Sequence, residues 1–253
     1  MDDDTNDVGT DRDLLMKAAF EGHWKSVRIL LESGVDVHAW NFHRFDALMA
    51  AATAGHTKCI DLLVKNGANV HAKNEIGLNA LLCAAYEGHA DSVRTLIKAG
   101  TPVNHTTRLG RNAVMLAAAR GQTECVQLLL EAGASMDVAG ADDGNTSLML
   151  AASGGHVDCV RLLLVYGADM QAVNVDGDSA FTFAIQRGHK QCATLFLSKG
   201  ANVDTMGGML NQSVLMTAVL KGFYACAKLL LVHGANVHAK NGSGMTALMY
   251  AAL

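Results

Sequence analysis

Two series of glycines, kept in phase along the whole chain, restrict what this sequence can fold into. The first, Gly22, Gly55, Gly88, Gly121, Gly155, Gly188 and Gly222, recurs every 33 or 34 residues. The second, Gly34, Gly67, Gly100, Gly133, Gly167, Gly200 and Gly234, follows each member of the first by twelve residues. Between the two lies an apolar stripe at helical spacing, as in Val27, Leu30 and Leu31 or Val160, Leu163 and Leu164. Ahead of the first glycine lies a short alanine-rich stretch, such as Leu48–Ala54, which predicts a thin helix packed closely on its neighbours. Each such helix is expected to open on a side chain that accepts from the free N–H groups of its first turn: Asp13, Asp46, Asn79, Asn112, Thr146, Ser179, Ser213 and Thr246. The glycine after the second helix suits the left-handed backbone that closes a helix.

One helix pair of this size cannot bury its own apolar face, so the pairs must stack, with stability shared among neighbour interfaces. The unit length, Glu-Gly-His at Glu21–His23, Leu-Leu-Val-His-Gly-Ala-Asn-Val-His-Ala at Leu230–Ala239 and Gly-Met-Thr-Ala-Leu-Met-Tyr-Ala-Ala at Gly244–Ala252 resemble ankyrin repeats. The resemblance covers about residues 11–253 and implies an all-α ankyrin-repeat solenoid of stacked helix-turn-helix units joined by β-hairpin-like fingers. It divides the chain into an acidic flexible leader, 1–10, seven full repeats at about 11–41, 42–74, 75–107, 108–140, 141–174, 175–207 and 208–241, and a partial repeat, 242–253. Where the family usually carries Thr-Pro-Leu-His, this chain has Asp-Ala-Leu-Met at Asp46–Met49, Asn-Ala-Val-Met at Asn112–Met115 and Thr-Ala-Leu-Met at Thr246–Met249. Methionine there exchanges a hydrogen-bonding ring for adaptable apolar filling.

Repeats along nearly the whole length leave no room for a separate catalytic domain. The leader carries Asp2, Asp3, Asp4 and Asp7 without an apolar run, unlike a secretory signal. Every leucine ladder is broken by glycine or charge, so no membrane insertion is expected. The net charge is −4 with basic residues spread among the units, which gives no footprint for nucleic acid. Of the six cysteines, Cys59, Cys125, Cys159, Cys192 and Cys226 each lie four residues after a first glycine. Helices stacked about 8–10 Å apart hold such residues beyond the roughly 7 Å Cα limit for a disulfide. Thiols used as small hydrophobes fit a reducing compartment, cytoplasm or nucleus.

His23, His56, His89, His156 and His189 all follow the first glycine, a regularity that argues for structure rather than ligation. No Cys/His pair has zinc spacing, and the turns Asp142-Asp143-Gly144 and Asp176-Gly177-Asp178 lack the ligand array of a calcium loop. Neither a phosphate loop nor a nucleophile elbow is present, so no catalytic residue, cofactor or metal is expected. The resemblance further implies a place, Asn104 and the Val-His-Ala histidines His38, His71 and His238, where ankyrin proteins can be hydroxylated. Loop hydrogen bonding accounts for the same residues more simply.

The resemblance puts finger tips and the exposed side of the first helices on one concave face. The first finger reads His38-Ala39-Trp40-Asn41-Phe42-His43-Arg44-Phe45, whereas the second reads His71-Ala72-Lys73-Asn74-Glu75-Ile76-Gly77-Leu78. Arg44 stands where Gly77, Gly110, Gly144, Gly177 and Gly244 make the turn, so this finger is expected to bend differently. Trp40, Phe42, His43 and Arg44, beside Phe20 and Tyr86 of the first helices, form a candidate anchor for a protein or peptide partner, while Phe45 is expected to staple its helix. Charge along this edge changes from Arg44, Lys73, Arg108 and Arg111 to Asp142, Asp143 and Asp176, a polarity that would orient an extended peptide. The expected function is a non-catalytic interaction scaffold or adaptor. The alternative is a regulatory or substrate-docking segment of a larger multidomain signalling protein or ubiquitin ligase. Met245–Leu253 begins an eighth unit without its second helix, which suggests either more chain or a surface for self-association.

Overall fold

The computed structural model describes residues 7–208 and 211–252. The first six residues of the expected leader lie outside that range. Short polar side chains start the first helices as expected. Asp46 Oδ1 accepts from the Met49 N–H at 2.8 Å to open α3 (Ala47–Thr53), after α1 (Asp7–Phe20) and α2 (Trp24–Glu32). Asn79 does the same for α5 (Ala80–Glu87), and Asn112 Oδ1 accepts from Met115 to open α7 (Ala113–Ala119). Thr146, Ser179, Ser213 and Thr246 open α9 (Ser147–Gly154), α11 (Ala180–Gln186), α13 (Val214–Leu220) and α15 (Ala247–Ala251). Asp13 is the exception: α1 begins at Asp7, so Asp13 lies inside the helix and caps nothing. Apolar content from Leu14 onward does not mark a helix start when the preceding polar residues continue the same turn pattern.

The second helices are α4 (Thr57–Lys65), α6 (Ala90–Lys98), α8 (Thr123–Glu131), α10 (Val157–Val165), α12 (Lys190–Ser198) and α14 (Tyr224–Val232), besides α2. Both helices of a pair close in the same way. Beyond α3, Gly55 at φ +76° donates its N–H to Ala52 O while His56 donates to Ala51 O. Beyond α4, Gly67 at φ +87° donates to Val64 O while Ala68 donates to Leu63 O. These paired bonds satisfy the last helical carbonyls, and the left-handed φ is one that glycine adopts without a Cβ penalty.

The described residues pack as two compact units, one within Met1–Ala117 and Glu124–Ser135, the other within Ala118–Thr123 and Met136–Leu253. In the first, α1, α3 and α5 pack in order, as do α2, α4 and α6. In the second, α9, α11, α13 and α15 form one row and α10, α12 and α14 another. The core lies between rows: Ala51, Ala52, Ala84, Ala85, Ile60, Leu63 and Leu96 in the first unit, Ala151, Ala152, Phe181, Phe196 and Leu230 in the second, all fully buried or nearly so. Met49, Met115, Met149 and Met216, which replace the family's usual histidine, are buried and fill these layers.

Three of the histidines after the first glycine tie one pair to the next by a hydrogen bond. His89 Nε2–H donates to Thr53 O at 3.0 Å in the first unit, and His156 and His189 donate to Ala119 O and Ser153 O in the second. A carbonyl has no proton to give, so these rings carry theirs on Nε2. Each ring lies over the preceding pair's glycine: a Cβ on Gly55 would stand 2.5 Å from His89 Nδ1. The six cysteines are free and buried, and burial pushes the thiols of Cys59, Cys159 and Cys226 up and that of Cys192 to about 11.

The fingers are shaped by asparagine. Asn74 Oδ1 accepts from the N–H groups of Ile76 and Leu78, and Asn41, Asn174 and Asn241 repeat that pattern. In the second unit the longer finger at Met206 forms a short antiparallel ribbon, β1 (Met206–Gly207) against β2 (Gln212–Ser213), with Met206 opposite Ser213.

Candidate partner-binding site

The second and third fingers of the first unit are joined backbone to backbone. Arg108 N–H donates to Ile76 O at 3.1 Å, and His105 Nε2–H donates to Gly77 O at 2.8 Å. A Cβ at Gly77 would meet Thr107 Cα and Arg108 N at 3.0 Å, so the approach depends on glycine at that turn. This junction holds Ile76 and Leu109 at the tips, 59% and 55% exposed.

Behind the tips lies a cavity of about 650 Å3. Its walls are Ile76 and Leu78 of the second finger, Leu109 of the third, Leu82 and Tyr86 of α5, and Leu116 of α7, with Phe45 at one side. Cavities of this size, apolar with a few polar groups at the edge, are the usual form of a pocket for an inserted side chain or ligand. Cys83 also faces it. Burial, with Asp46 and Glu87 nearby, pushes that thiol to about 11 in spite of a hydrogen bond with Thr53. It stays protonated and serves as apolar wall rather than nucleophile.

A second cavity of about 610 Å3 adjoins the first and shares Thr107 and Arg108 with it. Arg44, Lys73 and Glu75 complete its charged lining. Arg44 has φ +58°, in the left-handed region and close to the +87° of Gly77. The first finger therefore does not bend differently: Asn41 templates the same turn, and Arg44 adopts the backbone that glycine has elsewhere, at a cost of about 1–2 kcal/mol. Its guanidinium lies 4.5 Å from the centre of the Trp40 ring.

Of the residues singled out from the sequence, Tyr86, Arg108 and Arg111 line the apolar cavity, and Arg44, Lys73 and Arg108 line the charged one. Trp40 is half exposed, bridged to Asp46 in the finger, and Phe42 is 88% exposed with its ring edge-on to His43. Phe20 is exposed at the end of α1. None of Phe20, Trp40, Phe42 and His43 lines either cavity. Asp142, Asp143 and Asp176 belong to the second unit. Asp143 Oδ1 accepts from Asn145 N–H, and Asp176 donates its N–H to Asn174 Oδ1, so both take part in turn structure. The N–H groups of His38, His71 and His238 bond to Asp36, Asn69 and Asn236 within their own loops, whereas Asn104 departs from that expectation: its Oδ1 accepts at 2.8 Å from the N–H of Ser135, 31 residues on. Among the described residues there is no grouping of three or more His, Cys, Asp or Glu able to hold a metal, and no helix long and apolar enough to cross a membrane.

Sequence reasoning gave Phe45 a stapling role only, and passed over Ile76, Leu78, Leu82, Leu109 and Leu116. A signal was available. The residue before the turn position is His43, Ile76, Leu109, Asp143, Asp176, Leu210 and Ser243 in successive fingers, and the second and third are the two adjacent fingers that both carry an apolar side chain there.

Comparison with known families agrees with the fold. A family model described as Ankyrin repeats (3 copies) matches residues 2–74, 48–140, 81–174 and 139–207, and one described as Ankyrin repeat matches 211–242. A search of curated proteins found no match. Ankyrin repeats are generally protein–protein interaction modules, and proteins made of them are typically non-catalytic. Matched along most of its length, and with the capped helix pairs, closing glycines and fingers already described, the chain belongs to the ankyrin repeat family.

Proposed function

We propose that this protein is a non-catalytic interaction scaffold that holds a partner protein or peptide on the finger and first-helix face of its first unit. The apolar cavity walled by Ile76, Leu78, Leu82, Tyr86, Leu109 and Leu116 carries the reading. Apolar surface at exposed finger tips lowers solubility and contributes nothing to the core, so its retention there favours a covering partner. The large side chain that fills such a pocket supplies most of the binding free energy, and the charged edge sets rate and orientation. Six buried free thiols favour a reducing compartment such as cytoplasm or nucleus.

The test compares wild type with an Ile76→Asp, Leu109→Asp variant of matched thermal stability in quantitative affinity purification. Both side chains are more than half exposed, so the variant is expected to fold. Specific partners lost with the variant support the site; an unchanged partner set refutes it.

A further inference from the structure

We infer that the partner segment is acidic: an extended peptide with one large apolar side chain for the cavity and carboxylates beside it on the Arg44, Lys73 and Arg108 edge. This rests on the site proposed above and adds the chemistry of its occupant. Three observations carry it.

The two cavities adjoin at Thr107 and Arg108, which line both, so a chain whose side chain enters the apolar one has the charged one beside it. Across both, the charged lining is Arg44, Lys73, Arg108 and Arg111 against Glu75 and Glu87, a surplus of positive charge in a protein whose net charge is −4. The positive edge is thus a local departure from the acidic average, and it attracts a segment of opposite sign.

Arg44 supplies the third observation. Glycine occupies the equivalent turn in the second finger, at φ +87°, and arginine at +58° is strained there. The Trp40 ring, 4.5 Å from the guanidinium, gives the side chain a partner within its own finger. A strained residue kept where glycine would relieve the strain, with its charge at the mouth of a pocket, is a reason to look for a ligand. The Arg108 backbone is held by its N–H bond to Ile76 O and by the close approach of Gly77, and that of Arg44 by the Asn41 turn, so two of the three cations sit on fixed backbone.

The experiment selects random linear peptides displayed on phage against the intact chain, then measures a fluorescein-labelled consensus peptide by anisotropy. The expected consensus has one Leu, Ile, Phe or Trp with at least two Asp or Glu within a few residues of it. Lys73→Glu with Arg108→Glu is expected to weaken binding by about tenfold or more, and rising salt to weaken wild-type binding progressively. Arg44→Gly is expected to weaken binding several-fold while the chain stays at least as stable, which separates a ligand-facing role from a structural one. Leu109→Asp should abolish binding. Peptides with an apolar residue but no acidic bias, bound equally by the charge-reversed chain, overturn the acidic inference and leave the pocket standing. Binding unaffected by Leu109→Asp overturns both. Failure to enrich any peptide, or displacement of the peptide by single-stranded oligonucleotide or anionic vesicles at equal charge concentration, overturns the inference as well.

Discussion

Gly55 and Gly67 occupy the same place in the same closing motif, yet they should not tolerate alanine equally. Both have positive φ and both donate one of the paired backbone bonds that close their helix, so the left-handed penalty for a Cβ, about 1 kcal/mol net of the gain from a less flexible unfolded chain, applies to each. Their surroundings differ. A Cβ at Gly67 meets nothing within 4 Å, whereas one at Gly55 stands 2.5 Å from His89 Nδ1. Ordinary contact requires about 3.5 Å, so the ring must retreat by about 1 Å. The 3.0 Å bond from His89 Nε2–H to Thr53 O then opens beyond hydrogen-bonding distance. Losing a part-buried bond of this kind costs about 1–3 kcal/mol when a partner is left unsatisfied. Gly55→Ala should therefore cost about 2–4 kcal/mol and Gly67→Ala about 1 kcal/mol. Trp24 and Trp40 both lie in the first unit with Gly55, Gly67 and His89, so urea unfolding followed by tryptophan fluorescence reports the relevant unit. In a His89→Ala background the ring is gone, and the cost of Gly55→Ala should fall to that of Gly67→Ala, a coupling of about 1–3 kcal/mol. Equal costs in wild type, or a Gly55→Ala cost unchanged by His89→Ala, would refute the reasoning.

Other consequences concern the cap, the thiols and the strained turn. Burial raises the Asp46 carboxyl above its ordinary 3.8 despite the N–H bonds from Met49 and Leu48. A raised folded value means that the folded chain holds this proton more tightly, so the stability tied to it is complete below 3.8 and is lost as pH rises through the higher value. Asp46→Asn keeps the cap, as Asn79 and Asn112 do, and should be neutral or stabilising at pH 7 with an advantage that shrinks toward pH 3.8, whereas Asp46→Ala should cost about 1 kcal/mol at pH 7; thermal melts over pH check both. The six cysteines should resist a thiol-specific disulfide reagent in the native chain and all react after unfolding; rapid native labelling of Cys83 or Cys192 would contradict their burial. Arg44→Gly should raise stability by about 0.5 kcal/mol, the relief of left-handed strain being partly offset by greater freedom of the unfolded chain, and a loss of stability in urea unfolding would count against strain at that turn.

Local chemistry made most of the repeat readable. Helix starts were legible because a cap is one side chain acting on N–H groups three residues away, and seven of the eight expected caps hold. Asp13 misled because α1 is longer than its counterparts, and nothing within one turn announces how far a helix extends. The histidines were readable as structural from their register, but their target was not, since the carbonyl of Thr53 lies 36 residues before His89 and becomes its neighbour only on stacking. The site divides the same way. Arg44 drew attention as an arginine in a glycine place, although the expected distortion is absent because Asn41 enforces the turn. The apolar cavity was not legible because its walls come from Ile76, Leu82 and Leu116, each unremarkable in its own repeat and combined only where fingers meet helices. Attention to large aromatics favoured Trp40 and Phe42, which stand outside the cavity.

The most direct test of the proposed role is site-specific photocrosslinking in cells, with benzoylphenylalanine placed at Leu109 on the finger tip and, separately, at Ile29 on α2, a comparably exposed position away from the cavity. The account predicts a discrete covalent adduct from position 109 that disappears when Ile76→Asp is added, and none of that size from position 29. The same adducts from both positions, or adducts from position 29 alone, would contradict it.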